Sequence, residues 1–144
     1  YMSEIIEKEN LWKEIIISFR KLLRNYKKNE YKFIKKWKMS PTKFEILRFL
    51  YYRGESLIRT IIEELVTTYG NTNYVLDKLE KQNLIYQKKD SKDKRSFLIG
   101  LTFEGNMMME KVLVEYVSYL ENTISKLRKS EKIALIKILK KLDF

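Results

Sequence analysis

The 144-residue chain has no cysteine and no histidine. The first absence removes disulfides, thiolate nucleophiles and thiol redox sensing. The second removes the commonest metal ligand and the usual general base near neutral pH. Catalysis would have to rest on Asp, Glu, Lys, Ser or Tyr. The one adjacent carboxylate pair, Glu63-Glu64, would diverge on a helix, so neither an enzymatic site nor a cofactor or metal is expected. One proline and four glycines are too little turn chemistry for a many-stranded barrel or sandwich, while 44% hydrophobic residues are too many for a disordered chain. No apolar run approaches the roughly 18 residues needed to span a bilayer. The start lacks the apolar core and cleavage site of a signal peptide, so a soluble cytoplasmic protein is expected. Tyr1, ahead of Met2, reads as an appended residue.

What the chain does have is positive charge and helical periodicity. Its 30 Lys and Arg against 19 Asp and Glu give a formal net charge of +11, which favours an anionic partner. Apolar residues recur three and four apart from Leu11 through Trp12, Ile15, Phe19, Leu22, Tyr26 and Phe33 to Trp37, predicting one long amphipathic helix. Ser40 and Pro41 read as the N-cap and first residue of a second helix, with Phe44, Leu47, Leu50 and Tyr51 inward and Gly54 at its end. Ser56 is expected to cap a short third helix through Leu57, Ile61, Ile62 and Leu65. Thr68 is expected to cap a fourth through Thr72, Val75, Leu76 and Leu79, closed by Asn83 in the left-handed conformation. Two apolar runs, 84–87 and 97–101, flank a polar stretch and predict a hairpin with a long basic tip. Thr102 should cap a long helix from Phe103 to Leu127, and Ser130 should open the last, with Ile133, Ile136, Leu139 and Leu142. The expected fold is mainly α with a small β-hairpin.

Three short helices followed by a charged hairpin is the element order of a winged helix-turn-helix, which places a helix in the major groove of DNA and a ribbon at an adjacent groove. With Thr72, Val75, Leu76 and Leu79 inward, the fourth helix presents Tyr69, Gly70, Asn71, Asn73, Tyr74, Lys78 and Lys81 outward. Asn can pair with adenine, Tyr can touch thymine methyls or phosphate, and Gly lets the backbone approach. A merely solvated helix face would show the same side chains. In the hairpin tip Lys88, Lys89, Lys92, Lys94 and Arg95 outnumber Asp90 and Asp93, which suits phosphate contact and an Arg in the minor groove. Asp93, two residues before Arg95, is close enough to orient its guanidinium through a bidentate pair.

The stretches Val75-Leu76-Asp77-Lys78-Leu79-Glu80-Lys81-Gln82-Asn83-Leu84-Ile85, Asp93-Lys94-Arg95 and Leu101-Thr102-Phe103-Glu104-Gly105 together resemble the MarR family of bacterial regulators, including its SarA-like relatives. Their pattern is a recognition helix ending in Leu-Glu-x-x-Gly-Leu-Ile, a wing with Asp-x-Arg, and Leu-Thr-x-x-Gly opening the next helix. This chain departs from it at Asn83 for Gly, Gln87 for a frequent Arg and Ser91 for a frequent Pro. The resemblance implies a homodimer on a pseudo-palindromic duplex, with 3–38 and 102–144 as dimerisation helices and 40–101 as the winged DNA-binding lobe of a single domain. Arg95 becomes the minor-groove residue, Tyr69 to Tyr74 the major-groove readers and Lys78 a phosphate contact.

The family often binds a small organic effector between dimer helices and lobe, where Trp12, Phe19, Trp37, Phe44 and Tyr52 are the aromatic candidates; plain core is the competing role. Met107, Met108 and Met109 are adaptable side chains, but three consecutive helical residues point in different directions and define no pocket. Over half of the excess positive charge lies in residues 1–40, outside the winged lobe. That basic helix could lie on an anionic membrane or bind a partner, or add to the general attraction for DNA. A non-specific nucleoid-type DNA-binding protein is the remaining rival, since it would use the same charges.

Overall fold

Helix α1 runs unbroken from Met2 to Lys36, a stretch of 35 residues without Pro or Gly. There follow α2 (Pro41–Arg53), β1 (Ser56–Leu57), α3 (Ile58–Glu64), α4 (Tyr69–Lys81), β2 (Ile85–Lys89), β3 (Phe97–Leu101), α5 (Phe103–Thr123) and α6 (Lys129–Lys140). The computed structural model describes residues 1–65 and 69–142, Tyr69 by its backbone alone. The cap predicted at Thr68 lies outside the described residues.

The junctions follow from local chemistry. Lys38, in the left-handed region at φ 55°, turns the chain out of α1, and Met39 is buried beneath the turn. The Ser40 hydroxyl accepts from the Lys43 N–H at 3.2 Å, and Pro41 occupies the first helical position. Asn83, at φ 57°, closes α4: its N–H bonds the Glu80 carbonyl at 2.9 Å and the Leu84 N–H bonds the Leu79 carbonyl at 3.0 Å. Thr102 accepts from the Gly105 N–H at 3.0 Å while donating to the Asn83 carbonyl at 2.7 Å, so one hydroxyl caps α5 and ties it to the end of α4. A Cβ at Gly105 would stand 2.0 Å from the Leu84 carbonyl oxygen, which is why the Leu-Thr-x-x-Gly pattern ends in glycine.

The core lies where α2, α4, α5 and the sheet meet. Phe44, Ile46, Leu47, Leu76, Leu79, Ile85, Ile99, Met109 and Val112 are essentially inaccessible to solvent. By contrast α1 buries only Ile34 and α6 buries nothing.

Three expectations are corrected. Ser56 does not cap α3. It begins a third strand, Ser56 pairing with Ile99 and Leu57 with Leu98, so the hairpin belongs to an antiparallel sheet of order β1-β3-β2. Two residues carry too short a pattern to be read as a strand; the pairing with β3 makes them one. Helix α5 stops at Thr123, leaving Ile124 and Leu127 in the connecting turn. And α6 begins at Lys129 rather than Ser130, because Glu131 reaches back to the Arg128 N–H at 2.7 Å and the Arg128 guanidinium at 3.1 Å.

Candidate nucleic-acid interface

Helix α4 is divided lengthwise. Thr72, Val75, Leu76 and Leu79 are buried against the core, and Gly70, Asn71, Asn73, Tyr74, Lys78 and Lys81 are exposed. The spacing of three and four that fills the core therefore aims the amide and phenol groups outward. Tyr74 and Lys78, one turn apart, are pre-arranged, with the Lys78 ammonium 4.4 Å from the Tyr74 ring centroid. Tyr69 opens the helix, and its side chain is outside the description.

The wing is held at both ends. At its tip the Asp93 carboxylate accepts from the Arg95 backbone N–H at 3.0 Å and from the Ser96 hydroxyl at 3.2 Å. Among the described residues no ion pair joins Asp93 to the Arg95 guanidinium. The expected bidentate orientation is thus replaced by backbone capping, because a carboxylate two residues ahead of an N–H is placed to close an Asx turn. Asp90 does the same for Lys92 at 3.3 Å. Asp93 shapes the tip, and the cationic groups of Lys92, Lys94 and Arg95 project into solvent.

The root of the wing contains a cluster that sequence reasoning missed. Tyr86 on β2 lies across Gly100 on β3 and donates to Glu55 beside β1, and Glu55 also pairs with Lys88 at 3.1 Å. A Cβ at Gly100 would fall 2.2 Å from the Tyr86 hydroxyl oxygen, so the bare backbone is what admits the ring. Hydrogen bonds from Tyr86 and Lys88 hold the Glu55 carboxyl below its ordinary pKa, and the bond to Glu55, with burial, raises that of the Tyr86 hydroxyl. Lys88, expected as a phosphate contact, is paired with Glu55 in this structure and stays exposed. The one signal available was a glycine inside a strand pattern, which marks close approach of another group.

A second polar cluster joins α1, α2 and α5. Tyr116 donates to Glu30 at 2.6 Å and accepts from Arg48 at 3.1 Å, while Arg48 grips Glu45 through two bonds of 3.0 and 2.9 Å. Tyr26 lies 2.8 Å from the Tyr116 hydroxyl and 2.9 Å from Glu30, and its single proton serves one of the two. Burial, then hydrogen bonding to Glu30, raises the pKa of the Tyr116 hydroxyl far above that of a free phenol, and burial raises that of Tyr26.

The five aromatic candidates for a ligand pocket do not meet in this chain. Trp12 and Phe19 line a groove of about 540 Å³ with Leu139 and Leu142 near α6. Phe44 is sealed in the core with the Arg48 guanidinium over its ring, and Trp37 packs against that core. Tyr52 faces a separate groove between α2 and α5, with Glu110, Leu113 and Val114. At about 1.5 Å per residue, Trp12 and Trp37 lie about 38 Å apart along one helix, too far to share a small molecule.

Comparison with known proteins places this arrangement among relatives. The MarR family model matches residues 39–97. The uncharacterized HTH-type transcriptional regulator YkoM of Bacillus subtilis (strain 168) is 36% identical over 102 residues, 71% of this chain and 66% of that protein, so the match spans just under two thirds of YkoM. The HTH-type transcriptional regulator MhqR of the same organism is 25% identical over 128 residues, 89% of this chain and 88% of its own. The solved structure of a MarR family protein from Bacillus stearothermophilus shares the fold at a TM-score of 0.80, covering 93% of this chain and 94% of that one at 19% identity.

Proposed function

We propose that the chain is a member of the MarR family and a sequence-specific, DNA-binding transcriptional regulator that works as a homodimer on a pseudo-palindromic operator. The observation that carries this reading is the exposed face of α4, with Gly70, Asn73, Tyr74 and Lys78, beside a wing whose Lys92, Lys94 and Arg95 project into solvent. Asn71 and Asn73 read bases from the major groove, Tyr74 and Lys78 contact thymine methyls and phosphate, and Arg95 enters the minor groove. Asp93 contributes by shaping the tip that presents Arg95.

Residues 40–101 form the reading lobe, and 3–38 with 102–144 form the dimer. The apolar side chains that α1 and α6 leave exposed, among them Trp12, Ile15, Leu22 and Ile138, supply the surface for a second copy. Two recognition helices then enter successive major grooves about one helical turn apart. A small organic effector, where one exists, acts by favouring a dimer with wrongly spaced recognition helices, for which a coupling of about 1–3 kcal/mol suffices.

The test is selection of bound duplexes from a randomised library at moderate salt, followed by titration of the winner against a scrambled duplex. Enrichment of an inverted repeat with half-sites about 10 bp apart is expected. Arg95→Ala should weaken binding to the winner, and Asn73→Ala should relax base preference more than overall affinity. Binding without enrichment that merely fades with salt would replace specific regulation by nucleoid-type coating.

A further inference from the structure

Helix α1 is divided by charge as well as by burial. Residues 2–19 hold Glu4, Glu7, Glu9 and Glu14 against Lys8 and Lys13, whereas residues 20–38 hold nine cations against the single carboxylate of Glu30. Glu30 is turned inward to Tyr26 and Tyr116, so it does not interleave with the cations outside. With about 3.6 residues per turn, Lys21, Arg24, Lys27, Lys28, Lys32 and Lys35 fall within an arc of about 140°. Tyr26, Phe33 and Glu30 occupy the opposite side. All six cations are exposed, and among the described residues none forms an ion pair. Like charges three and four residues apart repel one another. A surface of this kind gains most from a partner with regularly repeated negative charge.

We infer that this stripe is a second, sequence-independent surface for the phosphate backbone of duplex DNA, apart from the winged lobe. From Lys21 to Lys35 it extends about 21 Å, the length of about six base pairs at about 3.4 Å each. It leads into α2, whose Lys43 bonds Gln82 just past the C-terminal end of α4 at 2.7 Å. The exposed N-terminal turn of α4 is about 17 Å from that end. A membrane surface fits less well. A helix lying on lipid needs an apolar face to insert; opposite the stripe Phe33 is packed on Tyr116 and the core, and the exposed Leu22 and Leu23 belong to the surface assigned above to a second copy. The inference does not depend on the assignment of the winged lobe.

The experiment compares the full chain with a Lys21→Gln/Arg24→Gln/Lys28→Gln/Lys32→Gln variant on a 60-bp mixed-sequence duplex and on phosphatidylglycerol vesicles. Removing like-charge repulsion should leave helicity and the unfolding temperature equal or higher. On the duplex, the slope of log affinity against log salt should fall by up to about 3.6 per chain, since each phosphate contact contributes about 0.9. Vesicle binding should be absent in both proteins. An unchanged slope would overturn the inference, as would vesicle binding that vanishes in the variant while DNA binding persists. A Lys92→Gln/Lys94→Gln/Arg95→Gln variant separates the two surfaces: loss only in the wing variant leaves the lobe and removes the stripe, and loss only in the stripe variant does the reverse.

Discussion

The winged lobe and the helical arms use apolar residues to opposite ends. In the lobe Phe44, Leu47, Leu76, Leu79, Ile99 and Val112 are sealed from water within one chain. In the arms Trp12, Ile15, Leu22, Ile133, Ile136 and Leu139 repeat at helical spacing yet remain exposed. Periodicity thus says which face of a helix is apolar, and not whether its own chain covers it. The lobe completes its core within one chain, with Val112 and its neighbours on the first half of α5 packed into it; the arms beyond present a surface of a kind that isolated chains rarely leave open.

Five tests would break or sharpen this contrast. The largest is Leu47→Ala in the lobe, which should cost about 2–5 kcal/mol in denaturant unfolding through loss of contacts and an unfilled cavity. Next is Leu139→Glu in the arm. Sedimentation should show monomers, and operator affinity should fall about 100-fold or more as the two half-sites cease to be linked, with the lobe's tertiary signals retained. Retained dimers would break the comparison.

Two glycines grade the lobe and its junction with α5. Gly105→Ala drives a methyl into the Leu84 carbonyl and should cost about 1–3 kcal/mol, because backbone has nowhere to go. Gly100→Ala meets the Tyr86 phenol, which can swing away. It should leave global stability within about 1 kcal/mol while releasing the Tyr86 bond to Glu55 and accelerating hydrogen exchange in β2.

The smallest effect is alkaline. Tyr26 and Tyr116 have hydroxyl pKa values raised by burial, so the protonated forms favour the folded state. Their contribution is complete below the ordinary phenol value of 10.0 and is lost as pH rises above it. Denaturant midpoints from pH 9 to 11 should decline, and Tyr116→Phe should flatten the decline.

Caps and left-handed turns were legible because they act within a few residues. Ser40, Asn83 and Thr102 do what their positions predict. Strand β1 was not, since two residues become a strand only by pairing with Ile99 and Leu98, more than 40 positions away. Separations of 31 and 68 positions likewise hid Glu55 from Tyr86 and Arg48 from Tyr116. Asp93 and Arg95 were correctly seen as neighbours. Their contact proved to be carboxylate to backbone, which spacing cannot distinguish from carboxylate to guanidinium.

By itself, then, the sequence determined the helices, the caps at Ser40, Asn83 and Thr102, the buried stripe of α4, the basic wing and the resemblance to the MarR family, because each is encoded in local spacing and in residue types whose conformational limits are narrow. Tertiary structure alone decided which apolar faces are covered, which cations are ion-paired and which carboxylates turn inward. Those outcomes depend on what folding brings alongside each residue. Lys88 is ion-paired only because Glu55 arrives beside it, and Glu30 is held inward only because Tyr26 and Tyr116 meet it.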